Sequence, residues 1–172
     1  DLPPVIHAIV ALACGIIAGA AAGFIPGFLK SRWGASELVS SLMLNYVFVK
    51  LGMYLVTYPL RDPDIGALAS RQVLPSSWLT QIIPSTRLHT GLLVLALTVV
   101  FCYYFLYRSK WGYETRMLGQ NPGFAMYSGM SVAAITLYTQ VISGGIAGLA
   151  GAVEILGIHR RFLWLASPGY GF

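Results

Sequence analysis

Between Leu2 and Leu29 the chain has no Asp, Glu, Lys or Arg. As a helix, residues 5–25 would rise about 31 Å, matching a hydrocarbon core of about 30 Å. No basic segment with a small-residue cleavage site opens the chain, so this stretch reads as a membrane span and not as a signal peptide. Pro26-Gly27 is expected to break the helix, leaving Lys30, Arg32 and Trp33 behind it as interface residues.

Three further spans follow. The second covers residues 36–58 and is closed by Pro59; its interior charge, Lys50, can snorkel to the interface on its long stem. Residues 60–87 are punctuated by Pro63, Pro75 and Pro84 and read as a loop, within which Ser76-Ser77-Trp78-Leu79-Thr80-Gln81-Ile82-Ile83 is a candidate interfacial helix. The third span, residues 88–107, ends in Arg108 and Lys110. The fourth, residues 131–153, is rich in Gly and Ala and meets Glu154 and then His159-Arg160-Arg161. The expected fold class is all-α: a polytopic transmembrane helix bundle with about four spans in what reads as a piece of a longer protein.

Composition agrees. Of 172 residues 56% are hydrophobic and 10% charged, where an ordinary soluble domain has roughly 25% charged. Disorder is excluded, and a net charge of +5 with no dense basic face argues against nucleic acid as a partner, leaving membrane lipid as the surroundings. Cys14 and Cys102 stand singly in apolar runs, so neither a disulfide nor a zinc site is expected. Basic residues do not orient the chain. Lys30, Arg32, Arg108, Lys110 and Arg116 on one side balance Arg61, Arg71, Arg87, Arg160 and Arg161 on the other.

Two sets of small residues mark helix-packing faces: Gly15, Gly19, Gly23 and Gly27 in the first span, and Gly144, Gly148 and Gly151 in the fourth. Lipid gives no hydrophobic reward for helix association, so close backbone approach through glycine does that work. Asn45 lies mid-span beside Tyr46, where its amide either bonds a neighbouring helix or faces a polar pathway. Gln140 and Ser143, one turn apart, present polar groups in the fourth span, although Ser143 can equally bond its own backbone.

Residues 108–129 read as two short helices. Gly119 is expected at a helix C′ position with positive φ, Asn121 as the cap of a second helix with Pro122 in its first turn, and Gly129 as its end. A unit this short cannot bury its apolar face alone, so it lies on the membrane surface or in a partner's groove. No phosphate-binding loop, metalloprotease motif or nucleophile elbow is present, so no catalytic residue, metal site or cofactor is assigned to this chain.

The run Arg116-Met117-Leu118-Gly119-Gln120-Asn121-Pro122, followed by Ala125, Tyr127, Ser128 and Gly129, resembles the cytoplasmic loop of ABC importer permeases for sugars, nucleosides and branched-chain amino acids. Gly34-Ala35-Ser36-Glu37-Leu38-Val39-Ser40-Ser41-Leu42-Met43-Leu44-Asn45-Tyr46, Ser143-Gly144-Gly145-Ile146-Ala147-Gly148-Leu149-Ala150-Gly151-Ala152 and the closing Ser167-Pro168-Gly169-Tyr170-Gly171-Phe172 resemble further family signatures, most like the nucleoside or simple-sugar branch. The loop departs from the family's usual pattern at Met117-Leu118 and at Gly123-Phe124-Ala125.

The resemblance implies a multi-pass permease subunit of a bacterial inner membrane. It implies cytosolic ATPase subunits holding ATP and Mg, a second and non-identical permease, and an extracytoplasmic solute-binding protein. It makes residues 108–129 a cytoplasmic coupling loop and residues 60–87 extracytoplasmic. The expected ATPase-coupling residues are Glu114, Thr115, Arg116, Gly119, Asn121, Pro122, Ala125 and Gly129; the expected pathway residues are Asn45, Tyr46, Gln140, Ser143 and Tyr170. The rival expectation is an ion-coupled secondary transporter or channel that needs no ATPase, which requires intramembrane charges beyond Lys50.

Overall fold

The computed structural model describes residues 3–62, 70–73, 78 and 89–162. Its helices are α1 (Pro4–Trp33), α2 (Glu37–Thr57), α3 (Gly91–Arg108), α4 (Lys110–Gln120), α5 (Pro122–Tyr127) and α6 (Val132–Glu154), the last running on into a π-helical turn, Ile155–His159. Among the described residues four helices are long and apolar enough to cross a membrane, α6 counted together with its π turn. The fold is an all-α polytopic bundle. The expected interfacial helix after Ser76 lies outside the described residues except for Trp78, whose indole Nε1 donates to the Val73 carbonyl at 3.0 Å.

The first span does not stop at Pro26. Pro26 lies inside α1, which continues to Trp33 and ends at Gly34 with φ 65°. In water a freed carbonyl can turn to solvent; in a bilayer it cannot, and unwinding there would strand further backbone groups. Pro26 and Gly27 are instead buried, with Gly27 facing Gln140 and Leu137 of α6. Gly34 then supplies the left-handed residue that closes the helix, its N–H bonding the Lys30 carbonyl at 2.9 Å.

Among the described residues the most extensive packing joins α1 and α6, which run antiparallel. A Cβ on Gly15 would lie 2.7 Å from the Ala152 Cβ, one on Gly19 would lie 2.7 Å from the Gly148 Cα, and one on Gly23 would meet the Gln140 carbonyl oxygen. Gly144 and Gly148 face back onto Gly19, Gly23 and Gly15 in the same way. Gly151 is a correction: nothing lies within 4 Å of a Cβ placed there, and the face passes through Ala152. Residues four apart stay on one helix face, and Gly151 is turned about 60° from Gly148 and about 100° from Ala152.

This pairing sorts the ends of the bundle. The close of α1, the start of α2, the close of α3 and all of α4 and α5 gather at the start of α6, so Lys30, Arg32, Arg108, Lys110 and Arg116 share one end. At the other end Ser70 donates its N–H to the Phe162 carbonyl at 2.9 Å and Val73 to the Arg160 carbonyl at 3.0 Å, fastening the loop after α2 to the chain beyond α6. Arg61, Arg71, Arg160 and Arg161 lie there, with Arg160 at 4.3 Å over the Trp78 ring. Between α3 and the α1–α6 pair an apolar trough of about 820 Å³ remains, lined by residues such as Ile16, Leu97, Phe101 and Leu149. Among the described residues that line it, the one polar side chain is Thr98, which spends its hydroxyl on the Val94 carbonyl.

Candidate functional site: the two-helix loop and its seat on α6

Helix α4 starts where Ser109 turns the chain at the end of α3. The Ser109 hydroxyl accepts from the Gly112 N–H at 3.0 Å and donates to the Phe105 carbonyl at 2.6 Å. The turn is so tight that Gly112 is buried against backbone: a Cβ there would overlap the Phe105 carbonyl oxygen and lie 2.6 Å from the Leu106 Cα. Only glycine fits.

One face of α4 seats on the second turn of α6. The Trp111 and Tyr138 rings pack with centroids 5.2 Å apart, and the Tyr138 hydroxyl lies 3.1 Å from the Trp111 carbonyl it donates to. The Glu114 carboxylate and the Thr115 hydroxyl each stand 3.5 Å from the same phenol oxygen, and Thr115 is also 3.4 Å from the Thr139 hydroxyl. Thr115 donates to Trp111 at 2.8 Å and Thr139 to Ile135 at 2.7 Å, so both hydroxyl protons are used. Tyr138→Phe keeps the ring against Trp111 and removes one bond of this cluster. It is expected to cost about 1 kcal/mol, read as a lowered thermal unfolding midpoint in detergent; an unchanged midpoint would show that the ring contact alone holds α4.

The junction between the short helices corrects one expectation. Gly119 is an ordinary helical residue of α4 with open space around it, and its φ is not positive. The helix stops at Gln120 because Asn121, ahead of Pro122, is driven into extended backbone at φ −149°. Asn121 then caps α5: its side-chain oxygen accepts from the Phe124 N–H at 3.0 Å, with Pro122 in first position. The left-handed glycine is Gly129, with φ 77°, which ends α5 through its N–H to the Met126 carbonyl at 3.0 Å.

These contacts divide the expected coupling residues. Glu114 and Thr115 face inward to Tyr138, and Ala125 is wholly buried, so Ala125 can act only by holding the loop's shape. Arg116 lies 4.9 Å over the Tyr107 ring with its residue exposed. The large apolar side chains that α5 leaves exposed are Phe124, Met126 and Tyr127, the last 95% exposed. Sequence reading missed this trio as the outward face and missed Gly112 and Tyr138 altogether. A glycine directly after Trp111 at the head of a capped helix was the available signal for Gly112; nothing local marks Tyr138.

Among the described residues, the expected pathway residues Asn45, Tyr46, Gln140 and Ser143 make no side-chain hydrogen bond to one another. Asn45 and Tyr46 stand on exposed faces of α2, and among the described residues Asn45 makes no side-chain hydrogen bond. Ser143 is exposed and its hydroxyl is likewise unbonded among the described residues, so the backbone bond considered for it is not formed. Gln140 is turned to α1 and α2, where its Nε2 donates to the Glu37 carboxylate at 3.4 Å. Tyr170 lies outside the described residues. Among the described residues no group of His, Cys, Asp and Glu could hold a metal ion.

Residues 3–172 match the family described as branched-chain amino acid transport system / permease component. The chain is 37% identical over 159 residues to the guanosine ABC transporter permease of Bacillus subtilis, covering 91% of this chain and 46% of that one. It is 31% identical over 168 residues to the glucose ABC transporter permease of Haloferax volcanii, covering 91% and 44%. A nucleoside ABC transporter permease of Lactococcus lactis is 23% identical over 171 residues, covering 95% and 47%. The chain thus spans a little under half the length of these relatives. No solved structure matches it.

Proposed function

This multi-pass membrane chain belongs to the permease family of ABC importers, and from that premise we propose that it lines part of a solute pathway and converts ATP-driven movement of partner ATPases into a change of access. The observation that carries the reading is the seat of α4 on α6: a loop with an apolar outward face is pinned to a spanning helix through Tyr138. Phe124, Met126 and Tyr127 form the surface that a cytosolic ATPase subunit would grip, and a displacement of α4 must then move α6. Alternating access follows as a shift between inward-facing and outward-facing populations, biased by ATP on the partner and by the loaded binding protein.

The end carrying α4 and α5 is cytoplasmic in this reading, and the end carrying Arg160 and Arg161 meets an extracytoplasmic solute-binding protein at the bacterial inner membrane. The second permease is a different chain. ATP and Mg reside on the ATPase subunits. The solute is a nucleoside or a simple sugar, as the names of the relatives suggest.

The test is uptake of labelled nucleoside by cells expressing the complete complex, with unlabelled nucleosides, ribose and leucine as competitors and with ATP depletion. ATP-dependent uptake blocked by nucleosides is the expected result. Competition by ribose or leucine would change the substrate, while uptake that survives ATP depletion would replace this reading with the ion-coupled carrier. Asn45→Leu is expected to reduce uptake at unchanged protein level; normal uptake would remove Asn45 from the pathway.

A further inference from the structure

The second turn of α6 touches two different parts of the bundle through three consecutive residues. Tyr138 and Thr139 reach α4, while Gln140, set about 200° around the helix from Tyr138, points to α1 and α2. Its Nε2 donates to the Glu37 Oε2 at 3.4 Å, and the same oxygen lies 2.8 Å from the Lys30 Nζ. Lys30 is in the last turn of α1 and Glu37 is the first residue of α2, so one carboxylate ties together the end of α1, the start of α2 and α6. Beneath this clamp Gly27 gives Gln140 its place: a Cβ on Gly27 would lie 3.0 Å from the Gln140 Cβ.

Helix α2 has little other support near this end. Among the described residues its substantial contacts are with α1, and most of its side chains are exposed. A rigid displacement of α6 therefore reaches the start of α2 through Gln140 and Glu37 or through the short Gly34-Ala35-Ser36 turn. Asn45 and Tyr46 sit two turns further along α2, about 12 Å from Glu37.

We propose that Gln140 and the Lys30–Glu37 pair are positioning residues that pass movement of the α4–α6 unit to α2. The inference rests on the coupling role proposed above and adds the route by which it reaches α2. It has a reciprocal consequence: breaking the clamp leaves ATP hydrolysis running while less solute moves for each ATP consumed.

The experiment uses the full-length permease with its partner subunits in liposomes, measuring ATP hydrolysis together with uptake of the solute identified by the competition assay. Gln140→Leu, Lys30→Glu and Glu37→Lys are each expected to lower uptake per ATP about tenfold, with hydrolysis within about twofold of the unmodified complex. The double exchange Lys30→Glu with Glu37→Lys restores the ion pair, and the Gln140 amide can turn its oxygen to the new ammonium, so uptake per ATP is expected to recover. Glu37→Gln decides the matter if a charge reversal does not fold: it keeps the shape, loses the ion pair, and is expected to lose uptake per ATP about threefold. Single variants with an unchanged ratio, a double exchange no better than its parents, or an unaffected Glu37→Gln would each overturn the proposal. Failure of the coupling reading itself would appear differently, as ATP-independent uptake by the unmodified complex.

Discussion

Replacing Gly148 with Val is expected to destabilise the bundle by about 3 kcal/mol or more, at the upper end of overpacking costs. A Cβ at this position would overlap the Gly15 carbonyl oxygen and lie 2.9 Å from the Gly19 Cα, and both obstacles are backbone of the facing helix. Rotamer changes cannot relieve such a clash, so α1 and α6 must move apart. In lipid the separated helices lose dispersion contacts with no hydrophobic force to draw them back. The measurement is thermal unfolding of the purified full-length permease in detergent, with Gly151→Ala as comparison. Gly151 meets nothing within 4 Å, so its replacement is expected to be neutral or to stabilise by up to about 1 kcal/mol. Equal midpoints for the two variants would show that the α1–α6 seam does not hold the fold.

Gly112→Ala is expected to separate stability from transport. One added methyl group would overlap the Phe105 carbonyl oxygen and crowd Leu106, so α4 has to pivot away from the end of α3. That pivot pulls Trp111 off Tyr138, while the α1–α6 seam is untouched. The expected outcome is a modest cost in stability, about 1–3 kcal/mol, with ATP-driven uptake reduced about tenfold or more, within the range typical of coupling energies. Gly119→Ala, in the interior of the same helix with open space around it, is expected to leave uptake unchanged. Normal uptake by the Gly112 variant would remove the α3–α4 turn from the coupling route.

Much of the architecture was legible because lipid leaves few alternatives. An uncharged stretch near twenty residues long has to be a helix there, and chain order with turn chemistry marks where one ends and the next begins. The caps were equally local: Asn121 before Pro122 and Gly129 after α5 act within four residues, so their types and spacing carry the information. Pro26 misled because a rule learned from water-exposed helices overstates what proline does to a helix in lipid, where the chain continues for seven residues beyond it.

The residues that make the candidate site work are of another kind. A spacing of four marks Gly144 and Gly148 as a face, but whether that face continues through Gly151 or Ala152 depends on which side of α6 meets a helix more than a hundred residues earlier. Tyr138 was unmarked because its partners lie on α4, 23 to 27 residues away, and nothing in its neighbourhood distinguishes a tyrosine bonded to a carbonyl from one at a membrane interface. A polar residue within a span makes Gln140 a pathway candidate, yet its amide is spent on Glu37, 103 positions away in the chain. The four spans, the caps at Asn121 and Gly129 and the membrane setting are legible in the chain because each follows from local chemistry against a uniform solvent, while the family is legible through its motifs. Which glycine meets which, and which polar groups face each other, depends on the rotation and approach of helices that no local interaction specifies, so these pairings emerge only when the helices pack.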